Sequence, residues 1–386
     1  MGMNFKMTAK TLFGFEELLG NELKQLGALN IQTGMRMVSF EGDTGFMYKA
    51  NLACRTAIKI LKPIFTFKVN NEDELYQGIY KFDWSTYMSS DQTLAIDATV
   101  FSDIFTHSKY VALKCKDAIV DQFRERTGTR PDVDVEDPHL RINIHIHQNE
   151  CTVSLDSSGP SLHQRGYKTA TNIAPINEVL AAGLLMLSGW KGETDFLDPM
   201  CGSGTILIEA AMIACNIPAN INRPYFAFER WADWDIDLYT TIRTALLSKT
   251  REFHYQIKGF DIDATAVQKA IANIENAGLE DYITVTQDDF FDSRKESTGL
   301  LHILFNPPYD ERIGIEMEEF YKDIGNTLKR QYPGTHAWMI TGNLEALKFV
   351  GLKPSRKIKV YNGALEARLV KYEMYEGSRK RMLNDE

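Results

Sequence analysis

No run of apolar residues approaches the ~20 that span a bilayer. The opening MGMNFKMTAKTLFGFEELLG has neither an apolar signal core nor a small-residue cleavage site. Its second-position glycine lacks the Ser/Thr spacing of a myristoylation signal. A cytoplasmic protein with no membrane partner is therefore expected. Cysteine is scarce: Cys54, Cys115, Cys151, Cys201 and Cys215 are odd in number, widely spread and never spaced C-x-x-C. Neither a disulfide framework nor a zinc site is supported, and no metal is expected. Basic charge is in deficit, with 43 Lys and Arg against 52 Asp and Glu for a formal net charge of −9. That argues against coating nucleic acid by bulk electrostatics, but leaves room for a local basic path. The first 168 residues hold 19 basic and 21 acidic side chains, so most of the acidic excess lies beyond them.

What is present falls into three patterns. In residues 1–65 the segment FGFEELLGNELKQLGA places Leu18, Leu19, Leu23 and Leu26 on one helix face. Gly34, Gly42 and Gly45 punctuate short strands, and a second helical stretch, GFMYKANLACRTAIKIL, closes a small α+β unit. Residues 66–157 form a second α+β unit, in which TLAIDATVFS and LRINIHIHQNECTVSLD alternate as strands around the helical SKYVALKCKDAIVDQFRERTG. Ile142, Ile144 and Ile146 face one way, and Asn143, His145 and His147 the other. With no third ligand nearby, the His-x-His pair reads as a solvated strand face. A polar connector, 158–178, follows. From 179 to 386 strand, turn and helix repeat through TDFLDP, FHYQIKGFDID, YITVTQDD, LLHILFNPPY and HAWMIT, which predicts a doubly wound, Rossmann-like α/β domain.

That last region carries the chemistry. In FLDPMCGSGTILIEAAMIA, Gly202 and Gly204 let backbone approach a ligand, and the following helix offers unpaired N–H groups. Leu207 stands where a dinucleotide turn wants its third glycine, and there is no phosphate-binding G-x-x-x-x-G-K-[ST]. The second strand ends in GFDID and the third in QDDF, again acidic. A carboxylate at such a strand end suits ribose hydroxyls. The usual spacing from the glycine turn is ~20 residues, whereas 57 separate Gly204 from Asp261. An aromatic-rich insertion, IPANINRPYFAFERWADWDIDLY, takes up the excess. Three acidic strand ends would repel a pyrophosphate, but they fit an amino group, a ribose and an adenine amine, which together make S-adenosyl-L-methionine.

In LFNPPYD the prolines hold Asn306 extended at a strand end. The Asn306 side-chain oxygen and the Pro307 carbonyl are neutral acceptors suited to the two hydrogens of an exocyclic amine. Tyr309 offers a face on which an extruded base stacks.

In order and spacing, LDPMCGSGT, GFDID, QDDF and NPPY resemble the class I methyltransferases that modify exocyclic amines. FTHSKYVALKCKDAIVDQFRERTGTRPDV and VSLDSSGPSLHQRGYK are similar to the THUMP-containing guanine-N2 RNA methyltransferases, within the large-subunit rRNA group. The resemblance covers nearly the whole chain and implies an N-terminal ferredoxin-like domain (1–65) and a THUMP RNA-binding domain (66–157). In some members a second methyltransferase domain follows; with the chain ending soon after LVKYEMYEGSRKRMLNDE, that second activity is expected to be absent.

The resemblance implies that Asp198 and the turn Cys201, Gly202, Ser203, Gly204 and Thr205 hold the methionine moiety. It gives the ribose to Asp261, beside Ile262, and the adenine amine to Asp289, beside Phe290, with Asp288 as the alternative to Asp289. Cys201 reads as a small residue that fits, with a reactive thiol as the competing reading. RNA contacts are expected from Lys109, Lys114 and Arg126 on the THUMP helix, and from Arg165 and Lys168 in the connector. Arg356 and Lys357 lie in LKPSRKIKVYNG, which reads either as an RNA-flanking run or as a lysine-guarded edge strand. The expected activity is guanine-N2 methylation of 23S rRNA. A tRNA guanine-N2 enzyme, a DNA adenine-N6 enzyme and a non-catalytic RNA-binding assembly factor are the competing readings.

Overall fold

A computed structural model describes residues 2–168, 176–308 and 316–375. The N-terminal strands are β1 (Phe5–Thr11), β2 (Leu29–Gly34), β3 (Met37–Gly42), β4 (Ala57–Lys68), β5 (Thr93–Phe101), β6 (Asp132–Val133), β7 (Leu140–His147) and β8 (Glu150–Asp156). They form one sheet in the order β2-β3-β1-β4-β8-β7-β5-β6. The expected boundary at 65/66 falls inside β4, which pairs antiparallel with β1 on one side and β8 on the other. The two N-terminal units thus share a sheet. Pro63 lies in this central strand, where its missing N–H would interrupt a ladder, and the register shifts between Pro63 and Phe65.

Two local readings are corrected. The second helix, Thr44–Ala53, stops short of the expected helical stretch through Leu61, and β4 begins at Ala57. The break is held by Glu22, whose carboxylate accepts from the N–H groups of Arg55 (2.7 Å) and Thr56 (3.0 Å). The polar face of β7 is also less solvated than expected. His145 packs against Phe101, and burial, with the charges of Lys10 and His147, lowers its imidazole to about 4. On the first helix, Leu19 and Leu23 enter the N-terminal core, whereas Leu18 packs against the core of the C-terminal domain.

The C-terminal sheet contains β9 (Asp195–Asp198), β10 (Ile257–Asp261), β11 (Ile283–Gln287), β12 (Leu301–Phe305), β13 (Thr335–Thr341), β14 (Arg356–Asn362) and β15 (Leu365–Met374). Their order is β11-β10-β9-β12-β13-β15-β14, with the first five parallel and the last two antiparallel. β12 is buried throughout, as an apolar run sandwiched between helical layers must be. Strand order reverses at β9, which has β10 on one side and β12 on the other. A crevice at the carboxyl ends of the strands follows from that reversal. Among the described residues no helix is long and apolar enough to cross a membrane, and no metal-holding cluster of His, Cys, Asp and Glu occurs.

Candidate active site

The glycine turn joins β9 to the helix Thr205–Ala214. Gly202 and Gly204 have φ values of 53° and 79°, the left-handed region that a side chain resists. A Cβ on Gly204 would come within 3.2 Å of the Ala270 Cβ. On β10 a Cβ at Gly259 would strike Leu207 at 2.3 Å, so the glycine of GFDID is what lets this helix lie against the sheet.

Asp261 locks these elements together. One of its oxygens accepts from Gly202 N–H at 2.9 Å and the other from Asp263 N–H at 3.0 Å. Asp198 is buried at the end of β9 and accepts from Met200 N–H at 3.2 Å. Burial, reinforced by the Asp261 charge and opposed by that N–H, holds its carboxyl well above the usual range. Such a group favours a cationic or hydrogen-bonding partner in the crevice. The Cys201 thiol is pushed well up by burial and then by Asp198 and Asp261. That state is the opposite of an activated thiolate, so the structure gives no support to the reactive-thiol reading.

At the next strand end, Asp288 N–H donates to the Asp261 carbonyl at 3.2 Å, tying the turn after β11 to β10. Asp289 is half-buried and accepts from Phe291 N–H, whereas Asp288 is exposed. Phe290 is in the core, packed near Phe305 and Tyr332, and so supports the loop from beneath. Ile262 is 67% exposed, an apolar side chain left at the mouth of the crevice. Ser203 and Thr205 are buried in the turn, whose Ser203 carbonyl accepts from the Asn273 amide at 3.0 Å. Asn306 and Pro307 follow β12 directly, Asn306 half-buried and Pro307 buried. Tyr309 lies outside the described residues.

The donor set fits the expected nucleoside cofactor. Two positive-φ glycines open the turn to close approach, carboxylates end β9 and β10 and follow β11, and an exposed aliphatic residue sits beside the second of them.

The basic residues divide. Lys109 is exposed on the helix Ser108–Thr127, and Lys114 lies 5.5 Å over the Tyr76 ring. Arg126 is ion-paired to Asp83 at 2.6 Å yet half-exposed. Arg356 and Lys357 are exposed on β14, which is an edge strand. Arg165 is a correction: it is wholly buried and unavailable to RNA. Its guanidinium donates to Leu162 O, Asn220 Oδ1 and Arg55 O, and lies 3.4 Å from Glu209 of the turn helix. Lys168 is mostly buried, 3.6 Å from Glu178.

Sequence reasoning missed this joint, in which Arg55 also donates to the carbonyls of Met212 and Ile217. It also left the aromatic insertion without a role. The insertion straps the two halves together: Arg230 and Tyr225 both bind Asp137 at 2.8 Å, and Phe228 and Trp234 pack on Tyr48. The only signal available was composition, an Arg-, Asn- and aromatic-rich segment inside an otherwise ordinary α/β pattern.

Among families of known proteins, the one described as RMKL-like, methyltransferase domain, matches residues 165–371. The chain belongs to the RMKL-like methyltransferase family. Ahead of that domain the RlmL ferredoxin-like domain matches residues 6–61 and the THUMP domain residues 69–156, so the eight-stranded sheet of this RMKL-like methyltransferase is built from both. It is 40% identical to slr0064 of Synechocystis, an RNA methyltransferase by name, over 94% of this chain and 95% of that one. It is 36% identical to the ribosomal RNA large subunit methyltransferase K/L of Syntrophotalea carbinolica, over 97% of this chain but about half (54%) of the longer relative. Among solved structures, SMU.472, a methyltransferase by name and complexed with SAH, is 30% identical with a TM-score of 0.86, covering 98% of this chain and 100% of that one. A Listeria monocytogenes structure named a predicted N6-adenine-specific DNA methylase is also 30% identical, with a TM-score of 0.85 over 96% and 97% of the two chains.

Proposed function

We propose that this RMKL-like methyltransferase transfers a methyl group from S-adenosyl-L-methionine to the 2-amino nitrogen of a guanine in 23S rRNA. The observation that carries the reading is the convergence of the glycine turn, the acids that end β9 and β10 and follow β11, and Asn306–Pro307 after β12 at the carboxyl ends of the parallel strands. The bound cofactor supplies an electrophilic methyl on a sulfonium. Asp198 and the 201–205 turn hold its amino-acid end, Asp261 accepts from the ribose hydroxyls, and Asp289 accepts from the adenine amine beside Ile262. An aniline-like base nitrogen is a weak nucleophile because its lone pair is delocalised. The Asn306 side-chain oxygen and the Pro307 carbonyl accept its two hydrogens, turning the lone pair toward the methyl and stabilising the charge that develops on nitrogen. Tyr309 stacks on the extruded base.

The RNA part of the reading is supported by the THUMP domain and by the names of the curated relatives. Lys109, Lys114, Arg126, Arg356 and Lys357 supply phosphate contacts of the kind expected for shape-based RNA recognition. The test is methyl transfer to rRNA carrying guanosine or inosine at the mapped target. Guanosine RNA accepts one methyl, and inosine RNA, lacking the 2-amino group, accepts none. Methylated inosine RNA, a product that digests to N6-methyladenosine, or transfer to DNA alone would overturn the base or substrate assignment.

A further inference from the structure

A cavity of about 510 Å³ opens where the connector, the start of the helix Glu178–Ser188 and the aromatic insertion meet. Its wall includes His163, Gln164, Lys168, Asn177, Arg223 and Tyr225. Among the described residues, no strand-end acid and neither Asn306 nor Pro307 lines it. Its described lining is therefore distinct from that of the crevice assigned to the cofactor and target base.

Among the described residues the wall leaves donors without an acceptor. Lys168 has the Ile176 carbonyl at 3.2 Å and Glu178 at 3.6 Å, two acceptors for three ammonium hydrogens. His163 uses Nδ1 on the Ser161 hydroxyl at 2.8 Å, leaving its other ring nitrogen for a partner. Arg223 is nine-tenths buried, and its terminal nitrogens donate to the carbonyls of Ser158, Pro160, Ser161 and Gln164. Its Nε is buried with no acceptor among the described residues. Among the described residues the wall's cations are Arg165, Lys168 and Arg223 and its one carboxylate is Glu178, with Arg165 answered behind the wall by the buried Glu209. Burial first, and then those three cations, hold the His163 imidazole below its usual pKa. The Tyr225 ring is fixed by its bond to Asp137 and by the Arg230 guanidinium 4.9 Å from its centre.

We propose that this cavity holds one nucleotide of the RNA substrate, a neighbour of the target base. Its phosphate sits among His163, Lys168 and Arg223, and its base lies beside Tyr225. The volume is within the ~300–1,000 Å³ of small-ligand sites. Because Tyr225 is tied to Asp137 in the THUMP-bearing half, the same contact links RNA grip to the methyltransferase domain. The proposal rests on the RNA reading above.

The experiment titrates uridine 5′-monophosphate, uridine and inorganic phosphate into the full chain saturated with S-adenosylhomocysteine. Uracil has no exocyclic amine, so the target pocket gives it no specific hold. The monophosphate is expected to bind at one site, more tightly than uridine or phosphate, and to be displaced by substrate RNA. Gln164 is exposed and serves the fold through its backbone, the N–H donating to the Ser161 carbonyl and the carbonyl accepting from Arg223, so its side chain can be changed safely. Gln164→Glu should weaken the nucleotide and raise the KM for RNA about tenfold, the scale of one charge-assisted hydrogen bond. Gln164→Lys should tighten both, a gain that structural damage does not produce. Affinity for S-adenosylhomocysteine should stay the same in both variants.

No nucleotide binding, or binding indifferent to both variants, would overturn the proposal. So would equal binding of phosphate alone, which marks a free-anion site, or displacement by S-adenosylhomocysteine, which gives the cavity to the cofactor. If the monophosphate binds and responds to Gln164 but rRNA is neither bound nor methylated, the substrate reading fails and the nucleotide site stands. Methylation of rRNA with a KM indifferent to Gln164 leaves the substrate reading intact and removes the site.

Discussion

Arg165→Met tests whether the connector arginine is a structural strut or an RNA contact. Arg165 and Glu209 are both wholly buried, and the guanidinium holds the Leu162 carbonyl at 2.8 Å, Asn220 Oδ1 at 3.0 Å and the Arg55 carbonyl at 2.6 Å. Removing it leaves three acceptors without their donor. The Glu209 carboxylate keeps only the Tyr167 hydroxyl at 3.1 Å and the nearby Arg55 charge, and its second oxygen already lacks a partner among the described residues. Breaking one side of a buried pair costs ~3–5 kcal/mol. Urea unfolding followed by fluorescence of the buried Trp84, Trp190 and Trp338 reads that loss directly. The double variant Arg165→Met with Glu209→Gln should recover ~1–3 kcal/mol, because the coupling between contacting residues is lost with both. Under conditions where the variant is folded, the salt dependence of RNA binding should match the parent. A loss below ~1 kcal/mol, the value of an exposed pair, together with a shallower salt slope, would refute the strut and restore the RNA contact.

Asp261→Ala should weaken S-adenosylhomocysteine binding by ~1.5–3 kcal/mol, the range for hydrogen bonds to a charged group, as read by calorimetry; unchanged affinity would remove Asp261 from the site. Asn306→Ala should leave that affinity intact while lowering turnover ~100-fold or more, the scale of one preorganised transition-state partner. A fall in cofactor affinity with turnover preserved would contradict its role. His302 is held at about 3 by burial and by His336 and Lys371, against ~6.5 in an unfolded chain. The unfolded state therefore takes the proton first, so stability is full above pH ~6.5 and falls as pH drops toward 3, by about 2 kcal/mol at pH 5. His302→Phe, placed where His302 stacks on Phe196 at 5.9 Å, should flatten that slope in urea midpoints at pH 7 and 5, and parallel slopes would exclude His302 as its source. A chain beginning at Ser161 should aggregate, since Phe226, Phe228 and Trp231 belong to the N-terminal core; a monomeric, cofactor-binding product would show that the joint is dispensable.

The strand-end motifs were legible because each is local chemistry. A positive-φ turn favours glycine, a strand followed by Asn-Pro-Pro must end there, and acids recurring at the carboxyl ends of parallel strands point to a ligand's donors. Leu207 in place of a third glycine is likewise a statement about one turn, and with the acidic strand ends it set a dinucleotide aside. The edge-strand alternative for the run around Arg356 and Lys357 rested on charge pattern alone, and β14 is indeed an edge.

Tertiary structure decided the rest, because it depends on partners far away in the chain. Nothing near residue 65 says that β4 pairs with β1 and β8 at once, so a domain boundary was placed inside a strand. Helical spacing through Leu61 gave no hint that Glu22, 33 residues before Arg55, would hold the break between helix and strand. Arg165 illustrates the same limit. A sequence displays a cation's charge but not whether water or a buried carboxylate 44 residues later will answer it, and that difference separates an RNA contact from a strut. Local backbone preferences are written residue by residue, whereas burial and pairing become properties of a residue only once the chain has closed around it.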